Sequence, residues 1–133
     1  MLSGGTIMKR NLVSLLSVLM VVVSMSAANL LAGVTTSYGT SSLQYIGKVT
    51  NYKSYSQTVY GKLYPAATSP AAKLQIRDST GVAILKQDTY PAYPQNPNNL
   101  TCYVGPNGDA RTFYVKPATS GDYVWGTAEY GML

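Results

Sequence analysis

The 133-residue chain contains no histidine. Without an imidazole, the Ser-His-Asp and Cys-His arrangements of nucleophilic catalysis cannot be assembled, and a metal site loses its commonest ligand. Cysteine is nearly as scarce: the single Cys102 cannot close an internal disulfide and cannot hold zinc alone. It falls between Leu100 and Val104 on one face of an expected strand, which reads as a buried, inert thiol. The acids number five, Asp78, Asp88, Asp109, Asp122 and Glu129, and three stand at expected turns, where aspartate bonds to nearby backbone. A glycosidase-like carboxylate pair would have to come from Asp88 and Glu129. Neither belongs to a motif, and both read as solvated strand-end residues. No glycine-rich phosphate loop precedes a helix, and no calcium-loop spacing of acids occurs. The expectation is therefore a chain that is not an enzyme, with no cofactor and no metal.

What is present begins with a leader. Lys9 and Arg10 precede an apolar run from Leu12 to Val23, and small residues follow up to Ala28. A short basic region, about a dozen apolar residues and a small-residue cleavage site make a secretory signal peptide, a helix spanning residues 1–28. Gly4-Gly5 ahead of Met8 is consistent with a true start at Met8. The competing reading is an uncleaved anchor, since no charge appears between Asn11 and Gly33. Removing residues 1–28 leaves eight basic residues against five acids, a formal charge of +3. These cations are scattered singly, with no run of the kind that tracks nucleic acid. Nucleic acid is thus not an expected partner. Membrane contact is expected only through the leader or a target envelope, and anionic wall polymers or acidic lipids remain compatible with the charge.

Residues 29–133 read as one exported all-β domain. No apolar pattern of helical spacing lasts three turns, whereas strand signals recur: Leu43–Thr50, Ser54–Pro65, Lys73–Arg77, Val82–Lys86, Leu100–Val104, Arg111–Lys116 and Tyr123–Tyr130, with Thr35–Tyr38 as a conditional eighth. Seven to eight strands at this spacing predict a small antiparallel β-sandwich, with a small closed barrel as the alternative. Asp78-Ser79-Thr80-Gly81 and Asn107-Gly108 predict two hairpin turns. Alternation directs Val59, Leu63, Leu74, Ile76, Val82, Ile84, Leu100, Cys102, Val104, Phe113 and Val115 inward. That set is short of large aliphatics, so some of the twelve tyrosines and Trp125 are expected to complete the core.

The most informative stretch is Ser54–Pro65, SYSQTVYGKLYP. Val59, Gly61 and Leu63 alternate with Tyr60, Lys62 and Tyr64, so the face that a strand ordinarily gives to water carries two phenols astride an ammonium. Tyr90 and Tyr93 form a second group in the proline-rich stretch between Asp88 and Asn99. Tyrosine offers a flat apolar ring with a polar tip, suited to sugars or protein interfaces at low entropic cost. Tyr60, Lys62, Tyr64, Tyr90 and Tyr93 are therefore the candidate ligand-binding residues. The expected function is a secreted binding module for an extracellular polysaccharide, cell-wall polymer or protein. Two alternatives stand beside it: a bacteriocin-type antimicrobial acting on a cell envelope, and a structural subunit of a surface layer or fibre. The last is suggested by tyrosine-rich strands with few charges.

Overall fold

The computed structural model describes residues 33–133; the expected leader, its cleavage after Ala28 and the start at Met8 lie outside the described residues. Eight strands follow in order: β1 Val34–Thr40, β2 Gln44–Asn51, β3 Gln57–Pro65, β4 Ala72–Arg77, β5 Ile84–Tyr90, β6 Leu100–Val104, β7 Asp109–Pro117 and β8 Val124–Met132. No helix occurs among the described residues. The conditional strand pairs in full, Val34 lying opposite Tyr130 and Thr40 opposite Val124.

The strands divide into two four-stranded antiparallel sheets, a front sheet ordered β1-β8-β3-β6 and a back sheet ordered β2-β7-β4-β5. Neither closes on the other, so the arrangement is a sandwich and not a barrel. One core lies between them, with Val59, Leu63, Val104 and Val124 from the front and Leu74, Ile76, Phe113 and Val115 from the back. Tyrosine completes it: Tyr38, Tyr90 and Tyr130 are buried, and Tyr130 stacks on Phe113 across the layer at 5.1 Å between centroids. Gly61 makes that density attainable. A Cβ there would stand 2.8 Å from Leu74 Cδ2 and 3.0 Å from Phe113 Cε1, inside the contact distance of packed carbons.

Three expectations are corrected. The Asp78–Gly81 turn does close a hairpin, with Gly81 at φ +78° and its N–H bonded to Asp78 O, but Asp78 Oδ1 also takes the Val82 N–H. The turn therefore runs longer than expected and β5 starts at Ile84. Ile76 pairs with Lys86 while Arg77 pairs with Ile84. The odd residue, Leu85, forms a bulge that transfers Ile84 to the outer face. Val82 and Ile84, expected in the core, are 78% and 48% exposed.

Asn107-Gly108 supplies positive φ at both positions, 59° and 94°, as a tight Asn-Gly turn requires. Even so, β6 and β7 do not pair. Asn107 N donates to Lys53 O and Gly108 N to Asn51 O, so the connection is an arch between the sheets, docked on the β2–β3 corner. Asn51 organises that corner. Fully buried, it donates from Nδ2 to Tyr55 O (2.8 Å) and Gly105 O (2.9 Å) and accepts from Lys53 N at 3.0 Å. Finally, Val124 and Ala128 form the core face of β8. Trp125 is half-buried outside the core, stacked on Tyr123 at 6.0 Å.

Candidate functional site

Strand β3 lies between β8 and β6, which fixes both of its faces. Val59, Gly61 and Leu63 are buried, so Tyr60, Lys62 and Tyr64 project from the outer face as the alternation predicts. Cross-strand pairing brings Glu129 of β8 opposite Lys62, with Gly131 opposite Tyr60 and Thr127 opposite Tyr64. Glu129 is consequently the hub. Tyr60 Oη donates to Glu129 Oε1 at 2.7 Å and Tyr64 Oη to Oε2 at 3.3 Å. This acid is not a solvated strand end but a mid-strand residue held between two phenols.

The electrostatics agree with that geometry. The Tyr60 phenol is pushed up to about 12, first by burial, then by its hydrogen bond to Glu129 and the charge it faces. Tyr64 is raised by the same causes, burial first and then the Glu129 charge and hydrogen bond. Both remain protonated donors at neutral pH. Lys62 turns aside: Nζ donates to Pro97 O at 3.1 Å and stands over the Tyr64 ring at 5.0 Å from its centroid. The node is thereby tied to the proline-rich β5–β6 connection.

That connection divides the second pair of candidates. Strand β5 continues to Tyr90, and Tyr90 is wholly buried with its hydroxyl donating to Asn98 O at 2.7 Å. It is a core residue that anchors the connection, with its ring in the buried layer and not at the surface as expected, because the strand runs four residues further than the apolar pattern predicts. Tyr93 is 91% exposed. Asp88 receives Asn96 Nδ2 at 3.0 Å and the Thr89 N–H at 2.8 Å. Asp88 and Glu129 thus belong to different sheets and share no partner. Among the described residues no cluster of three acids or thiols forms a metal site.

Sequence reasoning passed over three contributors. Tyr103 is exposed on β6 opposite Thr58, and its outward direction was readable from the buried Leu100, Cys102 and Val104 around it. The Tyr123–Trp125 stack adds ring area beyond Tyr64, since Trp125 O accepts the Ala66 N–H just past the end of β3. Glu129, which reads from the sequence as a solvated strand-end acid, reaches the phenols only through the β3–β8 register, for which no local signal exists. What the arrangement offers chemically is a rigid aromatic surface with one carboxylate and one ammonium set into it. Cys102 is buried and forms no disulfide.

No protein-family model matches this sequence, and no curated protein matches it. Among solved structures, the chain is similar to the Yersinia pseudotuberculosis-derived mitogen at 12% identity, over 76% of this chain and 87% of that one, with a TM-score of 0.45.

Proposed function

We propose that this chain is an exported, non-catalytic binding module that takes a polysaccharide on the outer face of its front sheet. The observation that carries the reading is the Tyr60–Glu129–Tyr64 node, two phenols fixed by one carboxylate beside Lys62. A pyranose has an apolar face of C–H groups and a rim of hydroxyls. Phenol rings match the first, and a carboxylate and an ammonium match the second. Each Glu129 oxygen accepts one phenol and retains a lone pair for a sugar hydroxyl. Because the rings are already held, little side-chain freedom remains to be lost on binding.

The test is a pull-down of the exported chain on insoluble polysaccharides, cellulose, chitin and bacterial cell wall among them. Saturable retention is expected on one. The double substitution Tyr60→Ala and Tyr64→Ala abolishes it while far-UV circular dichroism stays unchanged, and Glu129→Gln weakens it about tenfold through one lost charge-assisted hydrogen bond. Undiminished binding by the double variant rejects this face.

A second reading, self-assembly into a layer or fibre, is favoured by one feature. The edge strands of the front sheet, β1 and β6, carry no charged residue, whereas the back-sheet edges carry Lys48, Lys86 and Asp88. Uncharged edges lack the usual guard against edge-to-edge pairing. Light scattering that rises with protein concentration supports assembly, and a strict monomer at high concentration rejects it.

A further inference from the structure

The β4–β5 hairpin ends in four consecutive exposed apolar residues, Val82, Ala83, Ile84 and Leu85. Val82 is 78% exposed and Leu85 40%. Such a run is a liability in water and calls for something that covers it. The hairpin is not loose: Asp78 Oδ1 accepts from Thr80 N, Thr80 Oγ1 and Val82 N, and Arg77 Nη1 donates to Gly81 O at 3.0 Å. The turn itself is seated on the outer face of the back sheet, with Thr112 Oγ1 donating to Asp78 O at 2.8 Å and Gly81 against the Tyr114 hydroxyl, while the apolar residues that follow it stay exposed.

The surroundings of the tip are cationic. One cross-strand row on the outer face of the back sheet reads Lys48, Thr112, Arg77 and Ile84. Further along the same face Lys73 lies directly opposite Lys116, a like-charge pairing that is destabilising unless an anion relieves it. A groove of about 440 Å3 is lined by Arg77, Lys116 and the serines Ser41, Ser42 and Ser120, with no acid in its walls. Among the described residues the ion pair is Arg111–Asp109, so none of these four cations is paired with a carboxylate. The nearest acid in sequence, Asp78, is engaged by its own turn.

We propose that the back sheet docks on an anionic lipid surface, with Val82, Ile84 and Leu85 entering the headgroup boundary and Lys48, Lys73 and Lys116 facing the lipid phosphates, while Arg77, bonded to Gln75 Oε1 and Gly81 O, adds its charge from behind them. Apolar burial and attraction to anionic headgroups add in this geometry, each buried aliphatic and each nearby cation strengthening the other's contribution. A soluble acidic polymer would meet the cations but leave the apolar tip in water, which is why the lipid surface is favoured. The inference is independent of the front-sheet reading.

The experiment is sedimentation of the full chain with phosphatidylcholine vesicles, with and without phosphatidylglycerol, next to soluble alginate as the competing anion. Binding to the anionic vesicles is expected, falling as salt rises. Val82→Ser with Ile84→Ser lowers it by about tenfold or more, and Lys116→Ala by about fivefold. Every variant shares the same residues N-terminal to Gly33, so differences report on the described domain. Ala83→Cys, in a Cys102→Ser background and carrying an environment-sensitive dye, locates the contact: a blue shift on anionic vesicles is expected, and none for a dye at Thr101 on the front sheet. Equal vesicle binding by the serine variant, an unshifted dye at position 83, or binding to alginate without binding to vesicles would each overturn the proposal.

Discussion

Asn51→Ala is the most severe test of how the two sheets are joined. The side chain is wholly buried and its three hydrogen bonds reach Tyr55 O, Gly105 O and Lys53 N at 2.8, 2.9 and 3.0 Å. Truncation removes all three and leaves the partners near a small void. At about 1 kcal/mol for each bond, the loss amounts to about 3 kcal/mol. For a domain of this size that corresponds to a fall in Tm of roughly 12–24 °C. Urea unfolding followed by Trp125 fluorescence measures it, with an unchanged m-value showing that the unfolded state is the same. Asn51→Asp separates hydrogen bonding from packing. It keeps the volume but sets a carboxylate oxygen against two carbonyls, so it is expected to be worse than alanine at neutral pH and to recover on acidification, as the protonated acid regains one donor. A loss below about 1 kcal/mol for the alanine variant, or an aspartate variant as stable as wild type, would refute the claim that Asn51 clamps the corner.

Three further outcomes follow from the core. The Tyr38 hydroxyl is buried with no hydrogen-bond partner among the described residues, so Tyr38→Phe is expected to stabilise the fold by about 1 kcal/mol; a loss of stability in thermal melts would mean that the hydroxyl is satisfied. Tyr38, Tyr60 and Tyr90 all have phenols pushed up to about 12, burial being the first cause in each. Their stabilisation is therefore complete below about pH 10 and is lost as pH climbs toward about 12, to be read from denaturant midpoints and the phenolate absorbance. Gly61→Ala places a methyl against Leu74 and Phe113 at 2.8–3.1 Å and is expected to cost about 1–3 kcal/mol, with unchanged stability in denaturant titration showing that the layer can yield.

The extent to which this architecture was legible follows the range of each interaction. Alternation in β3 correctly sorted Val59 and Leu63 from Tyr60 and Tyr64, because side-chain direction is set within the strand itself. The Asn107-Gly108 turn was likewise legible as a turn, since positive φ is a local property. Its partners were not: β6 pairs with β3 and β7 with β2 and β4, and nothing adjacent to the turn encodes that choice. The bulge at Leu85 turned Ile84 outward through pairing with Arg77, a register effect invisible to a period-two count. Tyr90 reads as a loop residue because Pro91, Pro94 and Pro97 follow it, yet β5 runs through the polar Lys86–Thr89 to reach it, since an edge strand accommodates such residues on either face. The place of Glu129 among the phenols is hidden for another reason, the range of its contacts. The acid meets Tyr60 only through the β3–β8 ladder, 69 residues away in sequence.

Those pairings also separate the two candidate surfaces, and the separation is itself testable. The front node and the hairpin tip lie on opposite outer faces of a sandwich whose sheets are about 10 Å apart, with the buried layer of Leu63, Leu74 and Phe113 between them. Sites at that distance without shared partners act additively. Tyr60→Ala with Tyr64→Ala is therefore expected to leave vesicle sedimentation unchanged, and Val82→Ser with Ile84→Ser to leave polysaccharide retention unchanged. One path could defeat this independence. Lys62 bonds Pro97 O in the β5–β6 connection, and that connection leaves the same strand β5 on which Ile84 and Leu85 stand. If either double substitution changes the other surface's binding by more than about twofold, the coupling runs along β5. Lys62→Met, which removes the Pro97 bond and keeps the stem over Tyr64, is then expected to abolish it. If coupling persists in that variant, the sandwich is not two independent faces on one core.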